Sequence, residues 1–99
     1  MGQVPDHLLV VRARITPEKE DAWNAWYDTK HLPEISSCPG FRTANRYATE
    51  TSAGREYLAI YTLDGPEALE SAEFNTRRGW EEFASDVTAE VTYFSRRGA

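Results

Sequence analysis

Residues 7–33 contain a change from strand-like to helix-like sequence and read HLLVVRARITPEKEDAWNAWYDTKHLP. Residues 7–15 are rich in β-branched and aliphatic side chains, which is typical of a β-strand. Because successive side chains of a strand point to opposite faces, this strand has apolar side chains on both faces. One face carries Leu9, Val11, Ala13 and Ile15, and the other carries Leu8, Val10, Arg12 and Arg14.

A helix is predicted directly after this strand. Thr16 can cap the free backbone amides of a helix, and Pro17 fits the first helical position, where its missing N–H costs nothing. We expect the helix to end at about Lys30, because Pro33 disfavours helical geometry at Leu32.

The rest of the chain predicts three more strands and a second helix. Turn signals at Pro39-Gly40, Ser52-Ala53-Gly54 and Asp64-Gly65-Pro66 separate the apolar segments. The predicted elements are strands at residues 41–47, 56–63 and 87–95, a helix from Pro66 to about Phe74, and helical turns within residues 77–86.

The resulting order, βαββαβ, predicts an α+β ferredoxin-like fold with a four-stranded antiparallel sheet and two helices on one face. We expect a single domain over residues 1–99, with its core in residues 7–95. Because the strands are apolar on both faces, the face without helices needs a cover. A second copy packed sheet to sheet provides one, so an isologous homodimer is predicted. The alternative is a monomer with some exposed aliphatic side chains.

The 99-residue chain has 40% hydrophobic and 27% charged residues, which argues against disorder. With 11 basic and 16 acidic residues its formal net charge is −5, which disfavours nucleic acid and anionic lipid as partners. No apolar run approaches the length of a membrane span, and residues 1–6 lack the basic region of an export signal. The single cysteine, Cys38, excludes an internal disulfide and fits a reducing compartment, so we expect a cytoplasmic protein.

The first predicted helix carries an aromatic stripe. Its members share one helix face through i, i+3, i+4, i+7, i+8 spacing and are Trp23, Trp26, Tyr27, Lys30 and His31. For the two tryptophans we expect packing against the core, which is the usual role of an aromatic stripe.

His31 has two interpretations. In the first it lines the mouth of a pocket beneath the helix, and Asp28, three residues earlier, orients or charges its imidazole. Together with Tyr27 these residues form an acid–base set that works near neutral pH. In the second, His31 caps the free carbonyls at the C-terminal end of the helix.

Other chemically active side chains are isolated in the sequence. His7 is expected to be an exposed residue at a strand end, and two histidines without ligand-like spacing predict no metal site. Neither a serine nucleophile elbow nor a glycine-rich phosphate loop is present. Cys38 has no activating neighbour in sequence, so we expect it to be a buried apolar residue.

The strand arginines form two same-face pairs, Arg12 with Arg14 and Arg42 with Arg46. We expect them to bind carboxylates at an interface. Alternatively, Arg46 or Arg12 binds a substrate carboxylate inside the pocket. The rim of the same cavity is expected to include Asn75, Arg77 and Arg78.

Several short motifs follow one another along residues 8–95. They are Trp23-x-x-Trp26-Tyr27-Asp28-x-x-His31-Leu32-Pro33, Pro39-Gly40-Phe41, Arg46-Tyr47, Tyr57-Leu58-Ala59-x-Tyr61-x-Leu63 and Pro66-Glu67-Ala68-Leu69. Together they resemble the EthD-like branch of the dimeric α+β barrel superfamily. The resemblance implies ferredoxin-like protomers packed sheet to sheet, each with a small pocket near His31 and Tyr27. The superfamily includes cofactor-free monooxygenases, haem-degrading enzymes, isomerases, lyases and polyketide cyclases.

These observations lead to one main functional hypothesis. We expect a small cofactor-independent enzyme that performs lyase, isomerase or cyclase chemistry on an apolar aromatic or polyketide-like molecule. His31 is its general acid or base, Asp28 orients His31, and Tyr27 donates a hydrogen bond to an oxyanion. The substrate pocket is expected to involve Trp23, Trp26, Phe41 and Arg46. The alternatives are a cofactor-free or haem-linked monooxygenase of the same fold, and a non-catalytic dimeric binding or accessory protein.

Overall fold

The computed structural model describes residues 4–98, and its elements follow the order βαββαβ with added short helical turns. The strands are β1 (His7–Ile15), β2 (Phe41–Thr51), β3 (Gly54–Leu63) and β4 (Val87–Ser95). The α-helices are α1 (Glu20–Trp26), α2 (Leu32–Ser36) and α3 (Ala72–Arg77). A π-helical turn spans Tyr27–His31, and 3₁₀ turns span Pro17–Lys19, Pro66–Glu70 and Glu81–Phe83. The strands form one antiparallel sheet in the order β2-β3-β1-β4, which confirms the ferredoxin-like fold.

The pairing of the strands determines which side chains face the helices. Leu9 of β1 lies opposite Tyr61 of β3 and Tyr93 of β4, and these residues point toward the helices. The opposite sheet face, here called the open face, carries Leu8, Val10, Tyr47, Leu58, Ile60 and Phe94. Tyr47 is 53% and Phe94 49% exposed. Both faces of the sheet are therefore apolar, as the sequence predicts.

The first helical segment continues beyond Lys30 to Ser36, so the predicted helix end is wrong. Within the π turn, the Leu32 N–H donates to the Tyr27 carbonyl five residues earlier. Pro33 follows directly, and in an ordinary α-helix its ring clashes with the carbonyl four residues before it. The wider π turn makes room for this ring, so the proline changes the hydrogen-bond pattern without ending the helix.

The second predicted helix, Pro66 to about Phe74, is interrupted. The 3₁₀ turn ends at Glu70, and Ser71 is extended with φ −68° and ψ 150°. The Ser71 hydroxyl oxygen accepts a hydrogen bond from the Phe74 N–H at 3.0 Å and so caps α3. Because serine offers the backbone this local partner, the chain ends one helical turn and starts another.

The β2–β3 hairpin is longer than predicted. β2 continues to Thr51 instead of ending at Tyr47, and Thr51 pairs with Gly54 at the closed end. Gly54 has a φ of +115°, which a residue with a side chain rarely adopts.

No helix in residues 4–98 has the length and apolar character needed to cross a membrane.

Candidate active site

A cavity of about 110 Å³ lies between the helix-facing side of the sheet and the helical segments. An apolar cavity of about 150 Å³ accommodates benzene, so this smaller, open cavity has room for one small ring at most. Val91 faces the helices from the edge strand β4 and is 48% exposed, so the cavity opens beside it. The wall consists of Leu9, Val11, Tyr27, His31, Ile35, Tyr61, Phe74, Arg78, Gly79, Trp80 and Val91.

The imidazole of His31 is held by aromatic rings. It stacks on Trp26 with ring centroids 4.6 Å apart and planes 16° apart. Tyr27 meets it edge-on at 4.9 Å, and the Trp80 ring lies 5.5 Å away. The loop after α3 brings Trp80 to this position, and its Gly79 has a φ of +114° that favours glycine. These contacts fix the orientation of His31 at the cavity wall.

His31 is uncharged near neutral pH because it is buried. Its side chain is 5% exposed, and burial lowers the pKa of the imidazole from 6.5 to about 4. Glu81 partly opposes this decrease in pKa, and the nearby cations Arg46 and Lys30 contribute to it. The Nδ1 atom is buried and has no hydrogen-bond partner within residues 4–98. His31 also lies inside a helical segment that continues to Ser36, which argues against the capping interpretation.

Two tyrosine hydroxyls meet at the same cavity. The Tyr27 and Tyr61 hydroxyl oxygens lie 3.3 Å apart, so one hydroxyl donates to the other. Burial raises the pKa of both phenols, so both keep their protons at neutral pH. The second hydroxyl proton of the pair is therefore free for a ligand oxygen.

Asp28 does not orient His31, contrary to the prediction. Its carboxylate accepts a hydrogen bond from Arg46 Nη1 at 2.8 Å, and Arg46 Nη2 donates to Asn24 at 2.9 Å. Tyr27 and His31, four residues apart, share the cavity side. A π turn has more residues per turn than an α-helix, so Asp28, three residues before His31, is rotated farther from His31 than it is in an α-helix. Asp28 is not part of the cavity wall, and its side chain is 60% exposed.

Arg46, which is expected to bind substrate, is not part of the cavity wall. Its guanidinium carbon lies 4.1 Å from the centroid of the Tyr27 ring, and its side chain is 11% exposed. Asp28, Asn24 and the aromatic ring together satisfy this buried cation. Arg46 thus supports Tyr27 from the side opposite the cavity.

The three apolar residues expected to shape the pocket lie behind its wall. Trp23 is fully buried in the core, which matches the expected core role of the stripe. Trp26 is not a wall residue but packs behind three of them, stacking on His31 and contacting Tyr27 and Trp80. Phe41 packs against Tyr61 and Phe74 with centroids 5.7 and 5.3 Å away.

Several wall residues have no role in the site predicted from the sequence. Among them, the sequence identifies Tyr61 and Val91 only as strand residues and Trp80 only as a helix residue. The signal for Tyr61 was its alternation with Leu58 and Ile60, which places it on the helix side. Of the three residues expected at the rim, the structure places Arg78 in the wall and Asn75 and Arg77 elsewhere.

The remaining candidates behave as structural residues. His7 is half-buried and its Nδ1 bonds the Tyr93 hydroxyl, so the prediction of an exposed strand end is wrong. Cys38 is buried, as expected. The carboxylate pairing expected of the strand arginines is also present, as in Arg12–Glu56 and Arg42–Asp64. Within residues 4–98, no three His, Cys, Asp or Glu side chains are grouped to hold a metal ion.

Residues 7–97 match a protein family described as a domain of unknown function, DUF4286. The chain belongs to this family. The match covers all four strands and the helices between them, and therefore every residue of the cavity wall. No curated protein matches the DUF4286 chain significantly.

Solved structures of the same fold include Rv0793 from Mycobacterium tuberculosis, with a TM-score of 0.69 and 18% identity over 94% of this chain and 96% of that one. An EthD family protein from Bacillus halodurans has a TM-score of 0.63 and 16% identity over 87% and 96%. SnoaB, a cofactor-independent oxygenase from Streptomyces nogalater, has a TM-score of 0.65 and 16% identity over 97% of each chain. These similarities agree with the EthD-like resemblance and establish the fold alone.

Proposed function

We propose that the cavity is the active site of a small-molecule enzyme that moves a proton on an aromatic or polyketide-like substrate. The chemistry is of lyase, isomerase or cyclase type and uses side chains of this chain. One observation carries the proposal: a neutral imidazole and a bonded pair of tyrosines line one cavity whose remaining wall is apolar except for Arg78. Small-molecule sites commonly combine apolar walls with a few converging polar groups in this way.

His31 takes up the proton in this mechanism. Its imidazole is uncharged at neutral pH because its pKa is about 4, so a nitrogen lone pair is available. Burial makes it a weak base toward solvent. A negative charge that develops on a bound substrate stabilises the imidazolium, and this attraction is strong where water is excluded. Proton transfer to His31 therefore requires substrate in the cavity.

Tyr27 and Tyr61 stabilise the charge that proton removal leaves on a substrate oxygen. Their free hydroxyl proton donates to that oxygen, and donors already in place need no rearrangement during the reaction. Arg46 holds the Tyr27 ring from behind and makes its position rigid. Tyr27 thus keeps the role expected from the sequence, and Tyr61 joins it.

Oxygenation without a cofactor is the second candidate activity. Removing a proton from an electron-rich phenol or enol gives an anion that can pass an electron to O₂, and the same His31 and tyrosine pair would produce that anion. The fold shared with the cofactor-independent oxygenase SnoaB supports this candidate. A haem does not fit, because the cavity of about 110 Å³ is too small and His31 is enclosed by Trp26 and Trp80.

We also propose that two copies of the chain pair through their open faces. Tyr47 and Phe94 are about half exposed there; Tyr47 lies opposite Leu58, and Phe94 lies opposite Leu8. Contiguous apolar patches of this kind are uncommon on monomers, and a two-fold axis covers the same patch on both copies. The cavity lies on the other side of the sheet, so this pairing leaves its mouth accessible.

Carbon–hydrogen exchange tests the proposed activity. The protein is incubated in D₂O with single-ring phenols and cyclic ketones, and loss of C–H signal is followed by NMR. We expect exchange with at least one of these compounds, reduced by about 10²-fold in His31→Gln. His7→Gln is the matched control, because His7 bonds Tyr93 away from the cavity wall.

The outcomes separate the candidates. Exchange that depends on His31 supports proton transfer, and uptake of O₂ in parallel assigns the oxygenase activity. Equal exchange in the wild type and His31→Gln contradicts the role of His31. Binding of these compounds without any exchange or O₂ uptake assigns a non-catalytic binding protein instead.

A further inference from the structure

The polar groups of the cavity wall favour an anionic ligand over a cationic one. They comprise the guanidinium of Arg78, the imidazole of His31 and the hydroxyls of Tyr27 and Tyr61. All of these are cationic or able to donate a hydrogen bond, and the wall contains no Asp or Glu. A ligand cation would find no counter-charge in this wall. A ligand anion would find several donors and no carboxylate within the wall itself.

Arg78 has no ionic partner within residues 4–98 and forms no side-chain hydrogen bond to them. Six other arginines of this chain, whose net charge is −5, pair with carboxylates. Arg12, for example, pairs with Glu56 at 3.0 Å, and Arg46 pairs with Asp28 at 2.8 Å. The charge of Arg78 is therefore available to a ligand.

The position of Arg78 is defined by an aromatic contact. Its guanidinium carbon lies 5.3 Å from the centroid of the Phe74 ring, and Phe74 is itself a wall residue. A cation over a ring face is attracted by the ring, so the guanidinium is kept beside the cavity although Arg78 is exposed. The wall thus consists of an apolar space for one ring with a free guanidinium at its edge.

We propose that the substrate of this site is a small aromatic carboxylate, with its ring in the cavity and its carboxylate on Arg78. This inference rests on the proposed function and specifies its substrate class. Arg78 can bind a carboxylate through two parallel N–H groups, which also orients the ring. Because the enclosed volume of about 110 Å³ fits a single ring, the carboxylate is attached to that ring directly or through one carbon.

Paired ligands test the proposal. Benzoate and benzamide have nearly the same shape, but only benzoate carries a charge at neutral pH. Both are titrated into ¹⁵N-labelled protein, and the shifts of the three indole N–H signals and of the Gly79 amide are followed. We expect benzoate to bind about 10-fold more tightly than benzamide, which corresponds to one charge-assisted hydrogen-bond pair at a partly exposed site.

Two variants identify the cation. Arg78→Gln is expected to remove the preference for benzoate while leaving benzamide binding unchanged. Arg97→Gln, the same change at an exposed arginine beyond β4, is expected to retain the preference. Retention of the preference in Arg78→Gln would overturn the proposal.

Failure of this proposal is distinguishable from failure of the proposed function. Equal binding of benzoate and benzamide, together with His31-dependent exchange, would overturn the carboxylate on Arg78 and leave the enzyme activity in place. Binding of neither ligand would also overturn it, and the exchange assay then decides the activity independently.

Discussion

The His31 imidazole stacks on the Trp26 indole at 4.6 Å, and Tyr27 and Trp80 cover most of the remaining ring. In this position the ring loses the water that would stabilise its charged form, which is why the pKa falls to about 4. The same side chain in the unfolded chain has a pKa near 6.5. The folded and unfolded states therefore bind different numbers of protons between these two values.

This difference predicts a pH dependence of stability. Between pH 6.5 and pH 4 the unfolded chain holds a proton on His31 that the folded chain does not, so the free energy of unfolding decreases as the pH falls. The full loss is about 3 kcal/mol, and above pH 6.5 the contribution of His31 is constant. Urea unfolding at a series of pH values measures it.

His31→Gln serves as the control, because it removes the titrating group. In this variant the free energy of unfolding should depend less on pH between about pH 4.5 and 6.5. The chain has two histidines, so their imidazole NMR signals are readily assigned with this variant. A His31 signal that titrates near pH 6.5 in the folded protein would contradict the burial argument.

The π turn Tyr27–His31 is the element that builds the site. It places two wall residues four positions apart on one side and turns Asp28 toward Arg46. Pro33 stands immediately after it, and its missing N–H and bulky ring favour the wider turn over a regular α-helix. We infer that this proline maintains the geometry of the site.

Pro33→Ala is expected to convert the π turn to a regular α-helix and to rotate His31 away from the cavity. Exchange activity should fall by about 10²-fold, the effect of a displacement near 1 Å, while the protein stays folded. Pro66→Ala is the matched control, since Pro66 begins a 3₁₀ turn, where its missing N–H has no bond to lose. Amide NOE patterns report the helix type. An intact π turn and unchanged activity in Pro33→Ala would contradict this role.

For the molecule as a whole, the open sheet face predicts association. Size-exclusion chromatography with light scattering should give twice the 11.2 kDa mass of the chain. Ile60→Glu places a charge in the middle of the open face and is expected to give a mass of 11.2 kDa. Ala22→Glu, the same kind of change at an exposed position of α1, should leave the mass doubled. A wild-type mass of 11.2 kDa at micromolar concentration would rule out the dimer.

Most of the fold was predictable because its signals are local. The alternation of Leu8, Leu9, Val10 and Val11 identifies a strand with two apolar faces without reference to any other segment. Element boundaries were less predictable. The effect of Pro33 depends on whether the preceding turn can widen, and the break at Ser71 depends on a hydrogen bond to Phe74.

Within the site, the aromatic stripe identified Tyr27 and His31, because helical spacing alone puts them on one face. Spacing along the chain suggested His31 as the partner of Asp28, but the carboxylate pairs with Arg46 on β2, which is distant in sequence. Tyr61, Arg78 and Trp80 reach the cavity through pairing of β1 with β3 and through the loop after α3. Spacing along the chain therefore determined the strands, the helices and the face that bears His31. Only the packing of distant segments decided which side chains enclose it, because a cavity wall is built from contacts between residues far apart in sequence.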